Sequence, residues 1–84
     1  MFNVLGFYKF KNLKSLKKNK LLLQKLFINN NIRGTLIISN EGLNGTISGK
    51  SKNISLISKK IKRMFGIINF DSENLSKSKF QPFY

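Results

Sequence analysis

Arg33–Gly49 reads RGTLIISNEGLNGTISG, and the rest of the chain is arranged around it. Thr35-Leu36-Ile37-Ile38-Ser39 is a short β-branched, apolar run of strand length. Leu43 to Ser48 is a second extended run, polar and apolar in alternation, closing on Gly49. Between them Asn40-Glu41-Gly42 supplies turn residues, with a second Asn-Gly step at Asn44-Gly45. Asn and Gly tolerate positive φ at little steric cost and let a chain reverse within a few residues. The stretch predicts a central hairpin.

A helix-period segment flanks the hairpin on each side. Upstream, Asn12 or Ser15 can cap a helix running to about Asn30, with Leu16, Leu23 and Phe27, and Leu22 and Leu26 beside them, as its apolar stripe. Lys14, Lys17, Lys18 and Lys25 take the other positions. Asn31 is the expected left-handed residue after the helix. Downstream, Ser51 or Asn53 can cap a second helix ending at Gly66, with Ile54, Ile57, Ile61 and Met64/Phe65 as its stripe. Its outward residues include Lys52, Lys59, Lys60, Lys62 and Arg63.

Before the first helix, Phe2–Phe10 reads as a strand with Phe2, Val4, Tyr8 and Phe10 on one face and Leu5 and Phe7 on the other. After the second helix, Gly66–Phe70 (GIINF) is a candidate fourth strand; without it the sheet lacks its last member. Strand–helix–strand–strand–helix–strand is the split βαβ order of a ferredoxin-like α+β sandwich, with both helices on one face of a small antiparallel sheet. That arrangement would place the lysines of both helices on one basic wall. The domain is expected to occupy residues 1–70. Residues 71–84 read as a polar, serine-rich tail ending in three aromatics, Phe80, Phe83 and Tyr84, a cluster that suits an interface better than a solvated terminus.

The segment GTLIISNEGLNGTISG resembles the signature G-T-x-x-x-x-x-E-G-[IL]-N-G-T-x-[AS]-G of the rhodanese-related tRNA uridine hydroxylases, which hydroxylate the wobble uridine of bacterial tRNAs. Gly34, Thr35, Glu41, Gly42, Asn44, Gly45, Thr46 and Gly49 carry the match. It extends from an aromatic first strand (VLGFYKF, Val4–Phe10) to Gln81-Pro82-Phe83. The resemblance covers nearly the whole chain but only the first part of that family, whose rhodanese-like domain and reactive cysteine follow later. It implies a C-terminally truncated relative, with molecular oxygen as co-substrate of the full enzyme and no catalytic residue to carry over. It also implies tRNA, at its anticodon region, as partner, and a rhodanese-like domain that a separate polypeptide could supply.

Composition is consistent with this. The 84 residues contain no cysteine and no histidine, and only three carboxylates, Glu41, Asp71 and Glu73. Thiolate chemistry, the usual general base and the commonest metal ligands are therefore missing, and neither a catalytic nor a metal site is expected. Sixteen Lys and Arg against three acids give a net charge of +13, which favours a polyanionic partner. Fourteen lysines to two arginines also fits an AT-rich coding bias, though such a bias does not account for so few acids. No run approaches the ~18 apolar residues of a membrane span, and MFNVLGFYKF lacks the basic and small-residue features of a signal peptide. A cytoplasmic location without membrane contact is expected.

The candidate RNA-binding residues are Lys14, Lys17, Lys18, Lys52, Lys59, Lys60 and Arg63, set against the plain alternative that lysines solvate an outer helix face. The glycines fit a structural hairpin better than an anion nest, because the run bridges two strands and opens no helix. Asn44 and Thr46 could touch RNA or simply serve the backbone. Phe7, Tyr8 and Phe10 invite comparison with base-stacking sheets, but Asn44–Ser48 offers no partner aromatic. An acylphosphatase loop is absent, because Phe10-Lys11-Asn12-Leu13 lacks its glycines and arginine. Three readings remain: the tRNA-handling part of a wobble-uridine hydroxylase, a free-standing basic RNA binder, and a non-functional remnant.

Overall fold

The computed structural model describes residues 1–83; Tyr84, the last of the three tail aromatics, lies outside the described residues. The chain runs β1 (Phe2–Phe10), α1 (Leu16–Asn29), β2 (Arg33–Ser39), β3 (Gly42–Lys50), α2 (Ser51–Phe65) and β4 (Ser72–Ser78). The four strands form one antiparallel sheet in the order β2-β3-β1-β4. Both helices pack on the same face, α1 against β2 and α2 against β3 and β1. This is the ferredoxin-like α+β sandwich that the element order implies.

Alternation along the strands decides which residues enter the core. Leu5 and Phe7 of β1 and Leu43 and Ile47 of β3 point towards the helices and are buried. They meet Leu23 of α1 and Ile54, Ile57, Ile61 and Phe65 of α2. Tyr8 and Phe10, on the opposite face of β1, are exposed, and Phe2 and Val4 are half-buried. The two faces divide as the sequence pattern predicts.

The β2–β3 reversal is tighter than its residues suggest. Ser39 pairs directly with Gly42, so only Asn40 and Glu41 form the loop, and neither takes positive φ. The unusual conformation falls on Gly42 instead, at φ 148°. Asn44-Gly45, which resembles a turn step, lies inside β3 opposite Ile37 and Leu36. Lys11 N–H donates to Glu41 O at 3.0 Å and Leu13 N–H to Asn40 O at 3.2 Å, tying the hairpin tip to the β1–α1 connection.

Helix boundaries follow the sequence, but their side-chain caps do not. Ser15 occupies the position before α1 in a left-handed conformation and makes no capping bond. Ser51 Oγ instead lies 3.1 Å from Asn3 Oδ1, and Asn53 Nδ2 donates to Asn30 O, stapling the start of α2 to the end of α1. Asn31 has φ 53°, as expected after α1. Gly66 terminates α2 in the left-handed region, with Ile67 N–H bonded to Lys62 O and Gly66 N–H to Arg63 O, the paired pattern of a Schellman motif.

The end of the domain departs from the sequence expectation. Gly66–Phe70 is not a strand: Ile67 is buried, and Phe70 stacks on Phe7 with ring centroids 4.7 Å apart. Ile67 and Phe70 cover the core from the side, while Ile68 points to solvent. The fourth strand is Ser72–Ser78, paired with β1 from Phe2↔Ser78 to Tyr8↔Ser72. The sheet therefore has its last strand, and that strand lies past residue 70, where the pattern suggests a tail. SENLSKS shows no strand-like hydrophobicity because no helix covers β4, and even Leu75 is 54% exposed.

Beyond β4 the chain crosses the open sheet face. Gln81 Nε2 donates to Asn31 O at 2.7 Å and to Ser48 O at 3.2 Å, and Ser48 Oγ donates to Pro82 O at 2.7 Å. Arg33 Nη1 reaches Gln81 O at 3.4 Å. The strap buries Ser48 fully, while Phe80 and Phe83 remain exposed.

Candidate nucleic-acid interface

The seven basic residues singled out in the sequence are all exposed on the helix side. The two helices run in opposite directions, since the end of α1 meets the start of α2 through Asn30 and Asn53. Lys14 and Lys18 share a shallow depression with Met64 and Phe65 at the other end of the pair. By helical period Lys60 lies on the α1-facing flank of α2, in line with Asn53 and Met64, whereas Lys52, Leu56, Lys59 and Arg63 point outward. Lys59 also borders a cleft towards β4, with Lys62, Glu73 and Leu75.

The outer helix surface is not uniformly basic. Leu22, which the periodicity assigns beside the α1 stripe, is 44% exposed, and Leu21, Ile28 and Leu56 are exposed as well. Only Leu23 of α1 is fully buried; Leu16, Leu26 and Phe27 are partly so. The surface therefore alternates ammonium groups with aliphatic side chains. Such a surface can neutralise a phosphate backbone and still make apolar contacts.

The glycine-rich signature serves the backbone. A Cβ on Gly34 (φ 122°) would meet the Thr46 carbonyl oxygen, and one on Gly42 would meet the Lys9 carbonyl oxygen. At Gly45 it would come within 2.8 Å of Thr35 O, and at Gly49 within 2.7 Å of Ile32 Cδ1. Close strand approach and packing thus account for all four. Glu41 is exposed at the hairpin tip, its N–H donating to Ser39 Oγ at 3.3 Å. Thr35, Asn44 and Thr46 lie side by side on the open sheet face, away from the lysine-bearing helices. The sheet stands between the side chains of Asn44 and Thr46 and the seven candidate basic residues of the helix side.

One residue that the sequence did not mark organises this end of the molecule. Asp71 Oδ2 accepts the Phe10 N–H at 2.7 Å, Oδ1 pairs with Lys9 Nζ at 3.1 Å, and its own N–H donates to Tyr8 O. The Phe10 amide first, and then the Lys9 ammonium, hold its carboxyl below the ordinary value of 3.8. An acid before a polar run carries no sequence signal for this role. The β1–α1 connection is filled by buried Leu13, and Lys11 Nζ donates to Gly66 O at 2.8 Å. Among the described residues no cluster of His, Cys, Asp or Glu could hold a metal ion. No helix among them is long and apolar enough to cross a membrane.

The fold and the connection between its first strand and helix define an acylphosphatase-like sandwich without the acylphosphatase loop. Residues 2–84 match the family described as the UPF0176 acylphosphatase like domain, and the chain belongs to that family. It is 62% identical over all 84 residues to the tRNA uridine(34) hydroxylase of Pelagibacter ubique (strain HTCC1062). The chain spans 28% of the length of that relative.

Proposed function

We propose that this domain is the substrate-handling part of a tRNA uridine(34) hydroxylase and docks the tRNA backbone on its helix face. The observation that carries the reading is the 62% identity, over the full chain, to a protein bearing that name. The charge of the chain supports it: a net +13 with the candidate lysines exposed on two adjacent helices suits a polyanion. The oxygen-dependent hydroxylation then belongs to a cysteine-bearing rhodanese-like part, in the same polypeptide or another, because this chain has neither cysteine nor histidine. Such an enzyme would work in the cytoplasm.

The test is binding of an anticodon stem–loop, followed by fluorescence anisotropy across a salt series, with the parent and a variant neutralised at Lys59, Lys60 and Arg63. Weaker binding with a shallower salt dependence supports docking on this face. Equal slopes would remove the helix face from the reading.

A further inference from the structure

Among the described residues the outer edge of β4 is unpaired, since β4 borders only β1. Unpaired edges template further strands unless they are bent, short, charged or blocked by proline. Ser72–Ser78 contains neither proline nor glycine, and its two charges, Glu73 and Lys77, are opposite in sign, so they block a random partner strand but not one that sets each against the other. Its sequence is a chemical palindrome: Ser72-Glu73-Asn74-Leu75-Ser76-Lys77-Ser78. We infer that β4 pairs antiparallel with β4 of a second copy of this chain, joining two four-stranded sheets about a twofold axis at Leu75.

The register follows from the residues. Centred on Leu75, the pairing sets Leu75 against Leu75, Glu73 against Lys77 twice, Asn74 against Ser76 twice, and Ser72 against Ser78 twice. Glu73, Leu75 and Lys77 share the helix-side face, because Leu75 and Glu73 pair with the inward-facing Leu5 and Phe7. Opposite charges directly across an antiparallel pair stabilise it, and like charges destabilise it. Shifting the centre to Asn74 or Ser76 shortens the overlap and sets Leu75 against Glu73 or Lys77. Centring on Glu73 or Lys77 opposes like charges. A shift by one residue brings opposite faces together. The centre at Leu75 is thus the register that uses all seven residues, satisfies both charge pairs and covers the exposed leucine.

The other free edge offers no such match. β2 (Arg33–Ser39) carries one charge, Arg33, and no acid to oppose it. A seven-residue pairing is far smaller than the interface of a permanent dimer, and two chains of +13 repel, so association is weak and strengthens with salt. This inference does not rest on the RNA-binding reading.

Sedimentation equilibrium of the full chain, without RNA, tests it through charge exchange. Glu73→Lys and Lys77→Glu each replace two attractive pairs by two repulsive ones and should weaken self-association about fivefold or more. The double variant Glu73→Lys/Lys77→Glu restores both pairs and should return to within about twofold of the parent. Lys77→Glu lowers the net charge from +13 to +11, so bulk repulsion alone would make that variant associate more tightly. Tighter association of Lys77→Glu, unchanged single variants, or a strict monomer up to roughly 1 mM would each overturn the inference. The substituted side chains are exposed, and circular dichroism in dilute solution confirms that each variant is folded.

Discussion

The carboxylate of Asp71 closes on the amide of Phe10 at 2.7 Å across 61 residues of sequence, and this bond begins the fourth strand. With Lys9 alongside at 3.1 Å and the Asp71 amide on Tyr8 O, the end of β1 is bound before β4 starts. A polar heptapeptide with little strand propensity is thereby delivered in register to an open edge.

Asp71→Asn should lower the melting temperature at neutral pH. The folded-state pKa of Asp71 is depressed, so its stabilisation is fully present above the unfolded value near 3.8 and disappears as pH falls through the lower folded value. Melting temperatures of parent and variant should therefore differ at pH 7 and converge below the ordinary carboxylate range. A gap that stays constant down to the acid limit would mean that the ionised form contributes nothing.

Gly42, inside the signature, and Gly6, outside it, make a test pair for what the signature glycines do. At Gly42, positive φ and the nearby Lys9 carbonyl oxygen both oppose a side chain, and Gly42→Ala should cost about 1–3 kcal/mol from backbone strain alone. At Gly6 the nearest heavy atom to an added Cβ is 3.7 Å away. Gly6→Ala should be neutral or stabilising by up to ~1 kcal/mol. Denaturant unfolding separates the two. Equal effects would remove the steric account.

Phe70 and Ile68 test the role of the segment after α2. Phe70 stacks on buried Phe7 and carries Lys62 Nζ 4.8 Å above its ring, whereas Ile68 is 86% exposed. Phe70→Ala should destabilise by about 2 kcal/mol. Ile68→Ala should change stability by no more than about 0.5 kcal/mol. Strand-like behaviour, with both positions contributing alike, would contradict the side-cover geometry.

Legibility in the sequence tracked the strength of periodic signals. The α2 stripe and the alternation in β1 placed Ile54, Ile57, Ile61, Leu5 and Phe7 correctly because burial imposes those periods directly. α1 was less clear, since Leu21, Leu22 and Ile28 are apolar yet exposed. GIINF looked more like a strand than SENLSKS because propensity measures burial, and the true edge strand is scarcely buried. What decided between them is the long-range bond from Asp71 to Phe10, which has no local signature. The candidate lysines were identifiable by type and period, but the aliphatic residues among them became visible only once the helices were packed.

The helix face makes the last prediction, and it is quantitative. Each phosphate neutralised on binding contributes roughly 0.7–0.9 to the slope of log affinity against log salt. If Lys59, Lys60 and Arg63 all contact backbone phosphates, neutralising the three should reduce the slope by about 2–3. Lys59 borders the β4 cleft and Lys60 faces α1, so the three sample both flanks and, through Arg63, the outer surface of α2. A reduction near 1 would confine the contact to part of that surface, and single variants would show which part. Thr46→Ala, on the opposite sheet face, should leave slope and affinity unchanged. If it weakens binding instead, RNA is held by the open sheet face, where Thr35, Asn44 and Thr46 are grouped.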